Sequence, residues 1–204
     1  MHTLIFDFGN VIYSFDREVF FQKLLERSNI RETKARRIFY YDFGEGGSLE
    51  ERVSRGEMSS QEFFRSVKDE FNSDITRQKF DEIYCSMFEP NTEVINLIKK
   101  LSEDYRLQIF SDINPIHYEN AVKECEVYNL FDAETLSFRV GTLKRKKKGY
   151  KDAISKANAR RLKIAFMDDK REYAERARSM GIQGIQFKGY EDLVSRLREL
   201  GVEV

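Results

Sequence analysis

The sequence predicts an α/β protein: a mostly parallel sheet with helices on both faces, interrupted by a helical bundle inserted after the first strand. Three observations predict it. A short apolar run, Thr3-Leu4-Ile5-Phe6, leads straight into Asp7, and Gly9 two positions on lets the chain turn there. Helical periodicity with no convincing strand then fills 15–90. From 91 to 204 helix and strand alternate, which is the pattern of a parallel sheet. The expected domains are therefore an α/β core made of 1–14 and 91–204, and a bundle of 15–90 carried on it.

Within the bundle, a helix over 17–27 places Val19, Phe20, Leu24 and Leu25 on one side, and a second over 32–41 carries Ala35, Ile38, Phe39 and Tyr40. Gly44-Glu45-Gly46-Gly47 is a break. Ser48 caps a short helix whose first turn holds Glu50 and Glu51, where the helix dipole favours negative charge. Ser59-Ser60-Gln61-Glu62 reads as a capping box for the helix bearing Phe63, Phe64 and Val67. A last helix over 76–87 turns Phe80, Ile83 and Tyr84 inward, and Pro90 closes the bundle.

In the second part, helices are expected over 92–102, 115–126, 148–157, 171–180 and 191–200. Strands are expected over 106–110, 163–167 and 182–187, with a short apolar unit at Thr135-Leu136-Ser137-Phe138. Gly181 stands where a helix would end on a left-handed residue.

Of 204 residues, 41% are apolar and 13% aromatic, as in a globular chain. Thirty-five basic and thirty-five acidic side chains leave no net field, so composition argues for neither nucleic acid nor membrane as a partner. Neither a signal peptide nor a transmembrane segment is expected, and two isolated cysteines, Cys85 and Cys125, fit reduced thiols in a cytoplasmic protein. Oligomeric state is not legible.

Three strands end in polar residues: Asp7, Ser111, and the pair Asp168-Asp169. Right-handed crossovers bring the carboxyl ends of parallel strands to one edge, so these groups converge from opposite ends of the chain. Clustered carboxylates of this kind suit Mg²⁺, which is held by a few of them together with substrate phosphate. Lys144 is a candidate cation beside them.

Asp7-Phe8-Gly9-Asn10-Val11, then Ser111, then Gly141 with Lys144, then Asp168-Asp169, in that order, resemble the four motifs of the haloacid dehalogenase-like (HAD) phosphohydrolases. The inserted bundle is similar to that family's C1 cap on a Rossmann-like core. Arg55-Gly56-Glu57-Met58-Ser59 with Glu62-Phe63-Phe64 is similar to a cap sequence of a subgroup that includes bacterial sugar-phosphate phosphatases. The resemblance implies a Mg²⁺-dependent phosphomonoester hydrolase of a small phosphorylated metabolite. Asp7 would be the nucleophile and form an aspartyl-phosphate, Ser111 would bond a phosphoryl oxygen, and Lys144 would neutralise charge. Asp7, the Gly9 carbonyl, Asp168 and Asp169 would hold the metal, with Asp169 the direct ligand of the pair. Asn10, Asp112 and Asn114 are the expected substrate contacts, and Phe20, Tyr40, Tyr41 and Phe43 are candidates on the cap.

The match departs from the commonest pattern at Gly9, where a second Asp usually serves as general acid and base. Asp16, Asp112 and His117 are candidate substitutes. Asp112 also stands where the family more often has Asn, and Arg145 where it has Pro, at the head of a basic run through Lys148 that reads either as a solvated loop or as a positive rim. These departures support an alternative: a catalytically weak scaffold that binds a phosphorylated ligand or a protein partner. A response-regulator receiver is disfavoured by motif order, and a dehalogenase by the Asp168-Asp169 pair.

Overall fold

The computed structural model describes residues 2–28, 30–40 and 47–204. Strand β1 (Thr3–Phe6) leads to β2 (Tyr13–Phe15), then to helices α1 (Arg17–Leu25), α2 (Glu32–Tyr40), α3 (Leu49–Ser54), α4 (Ser60–Phe71) and α5 (Arg77–Cys85), and back through β3 (Phe88–Pro90). The remainder runs α6 (Thr92–Leu101), β4 (Arg106–Ser111), α7 (Pro115–His117), β5 (Ala133–Leu136), α8 (Ser137–Val140), α9 (Lys147–Lys156), β6 (Ile164–Asp168), α10 (Arg171–Ser179), β7 (Gln183–Gln186) and α11 (Tyr190–Glu199).

Five strands form one parallel sheet in the order β5-β4-β1-β6-β7. β1 is central and buried along its whole length, so it is apolar on both faces rather than alternating. Leu4 and Phe6 pack with α6 and α11 on one side, while Ile5 joins Phe110, Phe166 and Tyr150 on the other. Phe6 lies opposite Ile109 on one flank and Met167 on the other, and this register sets Asp7 level with the end of β6. The Asp7 N–H donates to the Met167 carbonyl at 2.9 Å.

The bundle α1–α5 has its own core, built from Phe20, Phe39, Phe63, Phe71, Phe80 and Tyr84. Its capping box forms as expected, with Ser59 and Glu62 exchanging hydrogen bonds. The bundle rests on the sheet domain at α8, where a Cβ on Gly56 would lie 2.3 Å from the Phe138 carbonyl oxygen. No helix among the described residues is long and apolar enough to cross a membrane.

Three local expectations are corrected. β2 and β3 pair antiparallel, Tyr13 with Pro90, to form the two-strand stem from which the bundle hangs. Three residues are too few to show a period, and their partners lie far away in sequence. Pro90 ends the bundle from within a strand, on a two-strand sheet that tolerates its missing N–H. The helix expected over 115–126 is α-helical only to His117, then opens into a π-helical turn over Tyr118–Val122. There the Asn120 side chain donates to the Ile116 carbonyl, the acceptor its own backbone N–H would use in a regular helix. Finally, the apolar unit near Thr135 divides into β5 and α8, the latter closed by Gly141 at φ +72°.

Candidate active site

At the carboxyl edge of the sheet, beneath the bundle, lies a cleft of about 240 Å³. Asp7, Gly9, Ser111, Asp112, Lys144 and Asp169 line it from the sheet side, and Arg17, Glu50, Glu51 and Ser54 from the bundle. Four of the motif positions thus meet at one place. Asp7 emerges where β1 stops, and the Phe8 N–H donates to its Oδ1 at 2.7 Å. Lys144, only 1% exposed, puts its ammonium 2.6 Å from both Asp7 Oδ2 and Asp168 Oδ2. The rings of Phe110, Phe166 and Tyr173 surround that ammonium at about 5.5 Å, close enough for cation–π attraction.

Burial alone would favour a neutral Lys144, but Asp168, Asp7 and Asp112 outweigh it and raise its pKa, so the ammonium stays charged. Burial also pushes the Asp168 carboxyl upward; Lys144 offsets part of that rise and Asp7 adds to it. Asp7, Asp168 and Asp169 each offer an oxygen within 4.8 Å of the others. This hard-oxygen donor set fits a divalent cation of the Mg²⁺ type. Asp168 has both oxygens engaged, Oδ2 by Lys144 and Oδ1 by the Lys170 N–H at 2.9 Å. Asp169 receives the Asn10 amide at 3.0 Å on Oδ2.

Several residues expected to touch substrate have other places. Asn10, left-handed at φ +58°, braces Asp169 and accepts the Phe15 N–H, and it is not among the cleft-lining residues. Asn114 is buried below the cleft, where its Oδ1 caps α7 and its Nδ2 reaches Tyr84 Oη and His117 Nδ1. Asp112 does line the cleft, but both of its oxygens accept the Lys144 backbone N–H, at 2.8 and 3.1 Å. It therefore positions the loop that carries Lys144, and burial lifts its pKa to about 6.

Phe20 is fully buried in the bundle core and reaches no cleft. The Tyr40 side chain, Tyr41 and Phe43 lie outside the described residues. Among the acid candidates, Asp16 is exposed and caps α1 by accepting the Glu18 N–H. His117 borders the cleft, yet burial drops its pKa to about 3, so the imidazole is neutral.

Sequence reasoning missed the bundle's contribution to the site. Glu51 and Arg145 form an ion pair between α3 and the loop after Lys144, and Arg55 joins Glu51 at 3.2 Å. Glu50, one residue earlier, faces the cleft beside Arg17 at 3.7 Å. Both acids read in the sequence as helix first-turn charges, which they also are. Part of the basic run is thereby accounted for: Arg145 is tied to the bundle.

A parallel sheet of this strand order, bearing a helical insertion after its first strand and acids at its carboxyl edge, defines the haloacid dehalogenase-like fold, and the chain has that fold. A predicted HAD-like family hydrolase from Porphyromonas gingivalis matches with a TM-score of 0.78 at 19% identity, over 97% of this chain and 98% of that one. A HAD family enzyme from Bacteroides thetaiotaomicron, solved in complex with magnesium and inorganic phosphate, matches with a TM-score of 0.78 at 21% identity, over 92% and 94% of the two chains. The L-2-haloacid dehalogenase of Xanthobacter autotrophicus is more distant, with a TM-score of 0.62 at 12% identity, over 100% of this chain and 85% of that one. No protein-family model and no curated protein sequence matches the chain significantly.

Proposed function

We propose that the protein is a Mg²⁺-dependent phosphomonoester hydrolase acting on a small phosphorylated metabolite through an aspartyl-phosphate on Asp7. The observation that carries the reading is the placement of Asp7: at the end of the central strand, paired with the buried Lys144, and grouped with Asp168 and Asp169 under a helical cap. The Bacteroides thetaiotaomicron enzyme of the same fold, solved with magnesium and phosphate, supports it.

Asp7, the Gly9 carbonyl and Asp169, which all line the cleft, would hold the metal, with the fully buried Asp168 acting indirectly behind them. The bound ion would supply Lewis-acid polarisation of the phosphoryl group. The chain's own residues do the rest. Lys144 and the Phe8 N–H fix the Asp7 carboxylate in position for attack on phosphorus. The Ser111 hydroxyl and the Lys144 ammonium receive the phosphoryl oxygens, and the cap limits the cleft to a small substrate.

A panel of p-nitrophenyl phosphate and sugar phosphates, assayed with Mg²⁺ and with chelator, tests this reading. The expected result is Mg²⁺-dependent release of phosphate that falls at least about 10³-fold in Asp7→Asn. One observation favours a second reading, a phosphate-binding scaffold: the Phe15 ring fills the space beside Gly9 where an acid would stand. Phosphate binding without any Asp7-dependent release would support that scaffold instead.

A further inference from the structure

An aspartyl-phosphate reaction needs a proton for the leaving oxygen and a base for the incoming water. This inference rests on the phosphatase reading above. Gly9 supplies neither, and a Cβ there would lie 2.9 Å from the Phe15 ring, so the neighbourhood is packed rather than vacant.

Among the described residues, the carboxyls lining the cleft besides Asp7 are Glu50, Glu51, Asp112 and Asp169. Asp169 belongs to the metal group and is braced by Asn10. Asp112 spends both oxygens on the Lys144 backbone N–H. Glu51 is held by Arg145 and Arg55. Glu50 is different: its cation neighbour Arg17 stands at 3.7 Å, beyond direct hydrogen-bond length. It shares one face of α3 with Ser54, four residues on, and both line the same cleft as Asp7 and Ser111.

We propose that Glu50, delivered by the cap, is the general acid and base that Gly9 cannot be. Protonated Glu50 gives its proton to the leaving oxygen as the Asp7 oxygen bonds phosphorus and the ester P–O bond breaks, releasing the alcohol. The resulting Glu50 carboxylate takes a proton from the water whose oxygen attacks phosphorus. The bond from phosphorus to Asp7 breaks, inorganic phosphate leaves, and Glu50 is protonated again. Burial favours the protonated start: it raises the Glu50 pKa, with Glu51 adding to the rise and Arg17 and Lys170 opposing it. The neutral His117 at the same wall has no proton of suitable acidity to give.

The test compares wild type, Glu50→Gln, Glu50→Asp, Asp112→Asn and Asp7→Asn on phosphate esters of graded leaving-group basicity: p-nitrophenyl, phenyl and glucose phosphate. Glu50→Gln should lose about 10²–10⁴-fold in kcat/KM on the phenyl and glucose esters. On p-nitrophenyl phosphate, whose leaving group needs little protonation, it should give a burst of one nitrophenolate per protein followed by slow turnover. Glu50→Asp, which keeps a carboxyl, should recover part of the loss. An equal loss on all three esters, no loss, or the leaving-group pattern appearing in Asp112→Asn instead would overturn the assignment. Wild type with no Asp7-dependent release on any ester would overturn the phosphatase reading itself, and the Glu50 role with it.

Discussion

At the scale of single residues, the site is organised by one buried cation. Lys144 sits between two carboxylates and within three aromatic rings, with almost no contact with solvent. Replacing it by methionine leaves Asp7 and Asp168 crowded and unpaired, at a cost of about 3–5 kcal/mol. Denaturant titration of the metal-free Lys144→Met protein should register that loss. Added Mg²⁺ should then raise its melting temperature by more than it raises wild type, because an ion held at Asp7 would compensate part of the unpaired charge. An equal Mg²⁺ shift in both proteins would detach Lys144 from the metal group. That Asp7, Ser111 and the Asp168-Asp169 pair converge was legible because each follows a strand whose place in a parallel sheet is dictated by handedness, and Lys144 was a candidate beside them by its charge. Asn10, Asn114 and Asp112 were not legible in their actual roles, since a short polar side chain takes whichever backbone or neighbour the fold presents.

At the scale of elements, the helical bundle and the sheet are stabilised differently. The bundle core is aromatic: the Phe39 ring lies 5.0 Å from Phe20, 5.5 Å from Phe21 and 5.8 Å from Phe63. Phe39→Ala should therefore destabilise the protein by about 3–5 kcal/mol, measured by equilibrium unfolding. In the sheet domain, α10 lies so close to β7 that a Cβ on Gly184 would sit 1.9 Å from the Ala174 carbonyl oxygen. Backbone cannot give way there as a side chain can, and Gly184→Ala should cost about 1–3 kcal/mol or more. A neutral Gly184→Ala would contradict the packing of that edge. Long helices and buried strands were readable from period and caps, as Ser59 with Glu62 illustrates. The β2 and β3 stem was not, because three-residue strands carry no period and pair across the entire bundle.

At the scale of the whole molecule, the cleft lies where bundle and sheet meet, and the junction carries titratable groups. His117 is buried at that junction against Tyr84 and Phe88, and its pKa falls from 6.5 to about 3. The unfolded chain binds this proton more readily than the folded one. Stability from His117 is therefore complete above pH 6.5 and is lost as pH falls toward 3. The slope should approach about 1.4 kcal/mol per pH unit in that window. Unfolding free energies of wild type and His117→Gln across pH 4 to 7 (about one point per half unit) should differ in slope by this amount; parallel curves would place the histidine in contact with water. Contacts across this junction escape sequence reading because the partners come from separate elements, as Glu51 and Arg145 do. The central claim, that Asp7 is the nucleophile, is tested most directly by quenching turnover of a phosphate ester in Mg²⁺ and mapping the acid-stable phosphoryl label, or its hydroxylamine adduct, by peptide mass spectrometry. The account predicts the modification on the peptide containing Asp7, absent in Asp7→Asn. Phosphate release with the label on another residue, or with no covalent intermediate under conditions that slow its hydrolysis, would contradict it.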